Sequence, residues 1–249
     1  MKTDTYFYIG KLLPEGDCIF FNPGEIKLEN GWILDIYASG MHLWNAELDP
    51  KAYDVRSYVK EAYSILVSCF NFITDSSLKF SLSNLVEARG VTSDNNLIWG
   101  FYPEKYLKRP GSRKNKYSRA WKRVGKVFPR IKNSFYHRVI LRDYQNCIES
   151  SGDDSFFYAY RIIENVRRAT TQHLRDFDDI EYWDEMHSIL GTNKDQIKDL
   201  IEVAKKVRHG DFKDSVLIKA RQNPKPILQS AHEIMRREFK RSFKSLFGR

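Results

Sequence analysis

An arginine and a histidine stand side by side at Arg208-His209, directly before Gly210. A guanidinium can hold a phosphate in a planar fork, and an imidazole can carry a proton near neutral pH. Together they could stabilise charge on a phosphoryl group and shuttle the proton that its cleavage releases. The same residues also suit a plain helix end. Cations in a last turn complement the helix dipole, and the glycine that follows takes a left-handed cap. A second pair, Arg168 and His173, is separated by four residues, and two helical positions five apart are poorly aligned. Arg161 and Glu164, at i and i+3 in an aromatic-rich stretch, predict a helix-stabilising ion pair. The alternative role for Glu164 is to orient Arg208 or Arg168.

These side chains need helices to position them. Ile197, Leu200, Ile201 and Ala204 follow the i, i+3, i+4, i+7 spacing of a buried stripe, and Arg208 returns to nearly the same face. The spacing predicts a helix over 195–208. Similar patterns predict helices over 136–149, 153–174, 180–190 and 227–246, the last following Asn223-Pro224-Lys225-Pro226. Five helices with short connections imply an antiparallel bundle over 136–249.

The N-terminal part reads differently. Short aromatic and β-branched runs over 6–13, 18–21, 32–38 and 42–48 alternate with Pro/Gly/Asn turns, Asn30-Gly31 being a hairpin signal. Asp49-Pro50 opens a helix of about twenty residues, and residues 79–88 read as extended. The fold class expected is therefore α+β. A small α+β domain over 1–103 is followed by a connector over 104–135 and the helical bundle over 136–249.

Charge singles out that connector. Residues 1–103 hold 8 Lys/Arg against 13 Asp/Glu, residues 104–142 hold 14 against 1, and residues 143–249 hold 19 against 18. The net charge of +9 thus comes from one segment, read as a loop or linker with a short helix starting near Ala120. Lys108, Arg109, Arg113, Lys114, Lys116, Arg119, Lys122 and Arg123 interleave with Tyr117 and Trp121. That mixture suits phosphate contacts beside bases stacked on aromatic rings. An acidic protein partner would fit the same charge. The last helix carries Arg236, Arg237, Lys240, Arg241 and Lys244 around an apolar stripe. Packing of that stripe on the bundle is expected over membrane binding.

Composition bounds the rest. In 249 residues, 42% are hydrophobic and 29% charged, a globular balance rather than a disordered one. Cys18, Cys69 and Cys147 lack metal-ligand spacing, so no metal or other cofactor is expected and a reducing cytoplasm fits. No apolar run approaches the roughly 20 residues of a membrane span, and the N-terminus lacks the apolar segment of a secretory signal.

The stretch Phe157-Tyr158-Ala159-Tyr160-Arg161-Ile162-Ile163-Glu164, followed by residues 197–210 ending Arg-His-Gly, resembles bacterial HEPN domains of the ApeA-like type. The resemblance covers about residues 136–249 and implies a bundle of four or five helices, acting as a homodimer. Active members are metal-independent RNA nucleases of toxin–antitoxin and phage-defence systems. Their signature is an arginine, four to six residues and a histidine before a glycine. His209-Gly210 matches that ending. The arginine of that signature is not matched: positions 202 to 204 are Glu, Val and Ala, 205 and 206 are Lys, and Arg208 stands beside the histidine instead. The resemblance implies RNA cleavage by an internal 2′-hydroxyl, with Arg208 and His209 as the catalytic pair, or a non-catalytic sensor or scaffold that binds nucleotide, nucleic acid or a protein.

Overall fold

The computed structural model describes the backbone of residues 7–13, 21–27, 33–38, 40–44, 53–75, 79–82, 92–93, 96–97, 114–173 and 179–247. It describes side chains within 61–75, 119–173 and 181–247, except at 63, 121 and 245. The chain divides into two compact units, Met1–Pro129 and Arg130–Arg249.

In the first unit, backbone alone is described for seven extended segments, of which β6 (Thr92–Ser93) and β7 (Asn96–Leu97) pair with each other; the other five are β1 (Phe7–Leu13), β2 (Phe21–Lys27), β3 (Ile33–Ala38), β4 (Gly40–Trp44) and β5 (Lys79–Leu82). They pair in the order β2-β3-β4-β1-β5, antiparallel throughout, with Phe7 opposite Trp44 and Ile33 opposite Lys27. The side chains of this unit are described on helices only. Helix α1 (Tyr53–Thr74) buries Ala62, Ile65, Leu66, Cys69 and Phe70, a stripe at helical spacing. It stops at Asp75, whose φ of 52° is left-handed and ends the hydrogen-bond ladder.

The α+β class expected from the sequence is corrected by what the structure describes. Where side chains are placed the chain is helical, 86% helix, with no strand and no sheet. A fold class follows from the elements that bury a core together, and every described core residue lies on a helix or in a helix-to-helix turn.

The basic segment is also corrected. From Lys114 to Asn133 it is a 20-residue helix, α2, with Pro129 inside it, rather than a loop. Ala120, Val124, Val127, Phe128 and Ile131 are buried, and their spacing is one apolar stripe. The cations on the other face hid that stripe from a reading by charge.

In the second unit, α3 (Phe135–Glu149) and α4 (Asp153–Thr171) form a hairpin joined by three residues. There follow α5 (Asp179–Leu190), α6 (Asp195–His209), α7 (Ser215–Gln222), α8 (Lys225–Ser242) and the single turn α9 (Lys244–Phe247). Helix α4 is central and packs on α3, α5, α6 and α8. Its Phe156, Ala159, Ile162, Ile163, Val166 and Ala169 are buried, one broad apolar face that the buried Asn165 and Thr171 widen. The short α7 lay outside the sequence reading: eight residues give little periodicity, although Asp214 caps it by accepting from the Val216 amide at 2.8 Å.

Candidate functional site

The end of α6 is built by local chemistry at both of its termini. At its start Asn193 and Gln196 exchange reciprocal bonds: Asn193 Oδ1 accepts from the Gln196 amide at 3.1 Å, and Gln196 Oε1 from the Asn193 amide at 3.2 Å. This is a capping-box arrangement. Ile197, Leu200, Val203 and Ala204 are buried, so the inward stripe includes Val203, while Ile201 is half-buried at its edge. The helix stops because Gly210 adopts a φ of 72°. Its amide donates to the Val207 carbonyl at 3.1 Å, and the Asp211 amide to the Lys206 carbonyl at 2.9 Å.

The turn beyond is tied down. Lys206 Nζ lies 2.8 Å from Asp214, a hydrogen bond that raises the lysine and lowers the carboxyl relative to their usual ranges. Arg221 grips Asp153 with two bonds, at 2.8 and 2.6 Å, and donates to the Phe212 carbonyl at 3.0 Å. Asp153 is held below the ordinary carboxylate range by that guanidinium.

On this scaffold Arg208 and His209 are both exposed. On α4 the Tyr160 hydroxyl donates to Glu164 Oε1 at 3.0 Å, and the charge of Arg208 is felt at Tyr160. Burial raises the Tyr160 phenol, as does Glu164, while the positive charges of Arg208 and Arg167 oppose the rise. Tyr160, Glu164, Arg167 and Arg208 thus form one electrostatic neighbourhood between α4 and α6.

The expected Arg161–Glu164 ion pair is replaced. Arg161 reaches the buried Asp143 at 3.2 Å and lies over the rings of Phe157 and Tyr158, 5.8 Å from each centroid. The Asn165 amide also donates to Asp143 at 3.1 Å. Burial pushes Asp143 up, against the pull of Arg161, Arg142 and Asn165. Arg168 and His173 are both exposed, His173 lying just past the end of α4.

Of the basic candidates, Arg119 and Lys122 are exposed on α2 and Arg123 is half-buried. Lys126, outside the expected set, is exposed one turn beyond Lys122. Lys114, Lys116, Tyr117 and Trp121 fall on the described backbone of α2. Lys108, Arg109 and Arg113 lie outside the described residues.

Two polar groupings escaped the sequence reading. Glu238 is fully buried, with Oε1 accepting from His137 at 3.1 Å, Arg241 at 2.9 Å and Ser242 at 2.7 Å, and Oε2 from the other arm of Arg241 at 2.9 Å. Thr170 Oγ1, 3.0 Å from Oε2, divides its single proton with the Val166 carbonyl. Burial alone would raise this carboxyl, but the bonds from His137, Arg241 and Ser242 bring it down to about 2. The second grouping is Trp183 with His187 on α5. Burial lowers the His187 imidazole, and Lys194 adds to that against the opposing charge of Asp184. The available signal for Glu238 was its register: it falls in the apolar stripe of Ile234, Met235 and Phe239.

Among the described residues no cluster of His, Cys, Asp or Glu has the arrangement of a metal site. Cys69 and Cys147 are free, Cys69 buried and Cys147 half-buried, with burial pushing the Cys147 thiol up to about 12. No helix among the described residues is long and apolar enough to cross a membrane.

Residues 127–242 match the model of the C-terminal domain of DUF8168, a domain of unknown function. This is less than half of the chain and falls almost wholly on the second compact unit. No curated protein and no solved structure matches the chain.

Proposed function

We propose that this chain is an RNA-directed protein of HEPN type, and that the exposed end of α6 is where RNA is cleaved without a metal, in bacterial defence or growth arrest. One observation carries the reading. Arg208 and His209 both stand in solvent at a capped helix end, and Arg208 shares the electrostatic neighbourhood of Tyr160 and Glu164. A ribose 2′-hydroxyl would attack the adjacent phosphorus and expel the 5′-oxygen, leaving a 2′,3′-cyclic phosphate and a free 5′-hydroxyl. His209 would take the proton from the 2′-oxygen and deliver one to the leaving oxygen. Arg208 would stabilise the charge that builds on the phosphoryl oxygens. Arg119 and Lys122 on α2, with the rest of the basic segment, would supply sequence-independent phosphate contacts. A homodimer would place two such ends on one strand, and an acidic protein could compete for the same charge.

A second reading is binding without cleavage, and helix geometry favours it. Consecutive helical residues point about 100° apart, so Arg208 and His209 leave the helix toward different quarters. Incubation of total RNA with the protein in EDTA separates the two. The nuclease reading expects cleavage that His209→Ala abolishes and Arg208→Ala reduces by about 100-fold or more. Binding with no metal-free cleavage leaves the scaffold. Cleavage unchanged in both variants sinks the assignment of the pair.

A further inference from the structure

Between α5 and α6 lies a cavity of about 460 Å³, lined by Trp183 and His187 on one side and by Ile197, Lys198, Ile201 and Lys205 on the other. Lys194, at the same cavity, is held by Asp184 at 2.8 Å, so its charge is already matched. Asp195 and Glu202 also reach the rim beside Lys198 and Lys205, which makes the mouth mixed in charge and the interior apolar. That pattern suits a flat, uncharged ring whose attached phosphates stay outside.

The walls are prepared for such a ring. Trp183 is braced by the Arg167 guanidinium, 4.9 Å from its ring centroid. The His187 ring sits 6.4 Å from it, tilted by 30°. His187 is only 6% exposed. Its Nδ1 is bonded to Thr192 Oγ1 at 2.8 Å, whereas its Nε2 is buried with no hydrogen-bond partner in the protein. Buried polar groups are rarely left that way, and the edge of a heterocycle would complete this one. On α6 the lining positions Lys198, Ile201 and Lys205 continue to Arg208 at steps of three, four and three, a single helical stripe. A strand whose base entered the cavity would therefore run its backbone past Lys205 toward Arg208.

We propose that this cavity takes one unpaired nucleobase of the bound RNA, stacked against Trp183 and held at its edge by His187 Nε2, so that it selects the sequence presented to the end of α6. The inference rests on the RNA-directed reading above. Free nucleobases are commonly recognised by stacking on aromatic rings with hydrogen bonds to their edges.

Fluorescence anisotropy with labelled single-stranded homopolymers of about twelve A, C, G or U, and an abasic control of the same length, tests it. The full-length protein should prefer one base over the others and over the abasic strand by about 10-fold. Ile201→Trp, which fills the cavity from a half-buried position, and Trp183→Leu should erase that preference and bring the favoured strand to the abasic level. Thermal unfolding confirms that each variant is folded, and exposed Lys198→Glu should weaken all strands alike. If the protein binds every strand equally, or if Ile201→Trp keeps the preference, the pocket assignment is overturned while RNA binding stands. If the parent protein binds no strand at all, the RNA-directed reading falls and the pocket with it.

Discussion

Glu238 shows how much one buried side chain can decide. Its carboxylate has no exposed surface and accepts bonds from three helices' worth of donors: His137 on α3, Thr170 on α4, and Arg241 with Ser242 on its own helix. Removing one partner from a buried ionic network leaves the others desolvated and unmatched, which costs about 3–5 kcal/mol. Glu238→Ala should therefore destabilise the second unit by that amount, measured by urea unfolding. The pH dependence has a definite sign. The folded carboxyl titrates near 2 rather than its usual 4.5, so the unfolded chain binds the proton first as pH falls. The contribution is complete above about pH 4.5 and is lost between there and about pH 2, on the order of 3 kcal/mol. Glu238→Gln should flatten this part of the profile; an unchanged acid limb would mean that the network carries no such linkage. His187 has the same sign, since a lowered imidazole keeps its contribution above its ordinary titration range and loses it as pH falls.

At the scale of one element, the end of α6 is a stop that had to be built before any chemistry could sit there. Gly210 has a φ of 72°, and a Cβ added to it would meet Phe212 only at 3.8 Å, an ordinary contact. Space is thus available and the cost of a side chain is conformational alone. Gly210→Ala should destabilise by about 1–2 kcal/mol, with Gly210→Asn costing less because asparagine tolerates the left-handed region. Equal midpoints for alanine and glycine in thermal unfolding would show that the cap does not hold the helix end. Helix α2 illustrates the opposite balance. Its cations dominate the composition, but burial of Val124, Val127, Phe128 and Ile131 supplies the folding free energy, because apolar area removed from water outweighs weakly interacting surface charges.

For the whole molecule the decisive quantity is where +9 of net charge is displayed. Arg119, Lys122 and Lys126, spaced three and four apart and all exposed, form one cationic stripe on α2. Three phosphate contacts to single-stranded RNA correspond to a slope of about −2 in log affinity against log salt. Binding should then weaken roughly 20-fold between 50 and 200 mM salt. Reversing the stripe with glutamates should flatten the dependence. A salt-independent affinity would instead favour the acidic protein as the natural partner, recognised by specific contacts.

Periodicity alone made five helices of the second unit legible. The helices around 136–149, 153–174, 180–190, 195–208 and 227–246 correspond to α3 to α6 and α8, and the glycine stop after His209 is where the chain places it, because these features depend on residues a few positions apart. Position in the fold was another matter. Nothing near Arg161 in sequence says that it passes over Glu164, three residues on, for Asp143 on another helix, 18 residues back. The N-terminal class was misjudged for a related reason: turn signals and aromatic runs mark local extension, whereas the described core in that unit is made by helical faces. The amino-acid order by itself determined the helical faces, their caps and the concentration of charge. Tertiary structure decided which polar side chains meet, since those partners lie on different helices and only the packing of α4 among its neighbours brings them within bonding distance.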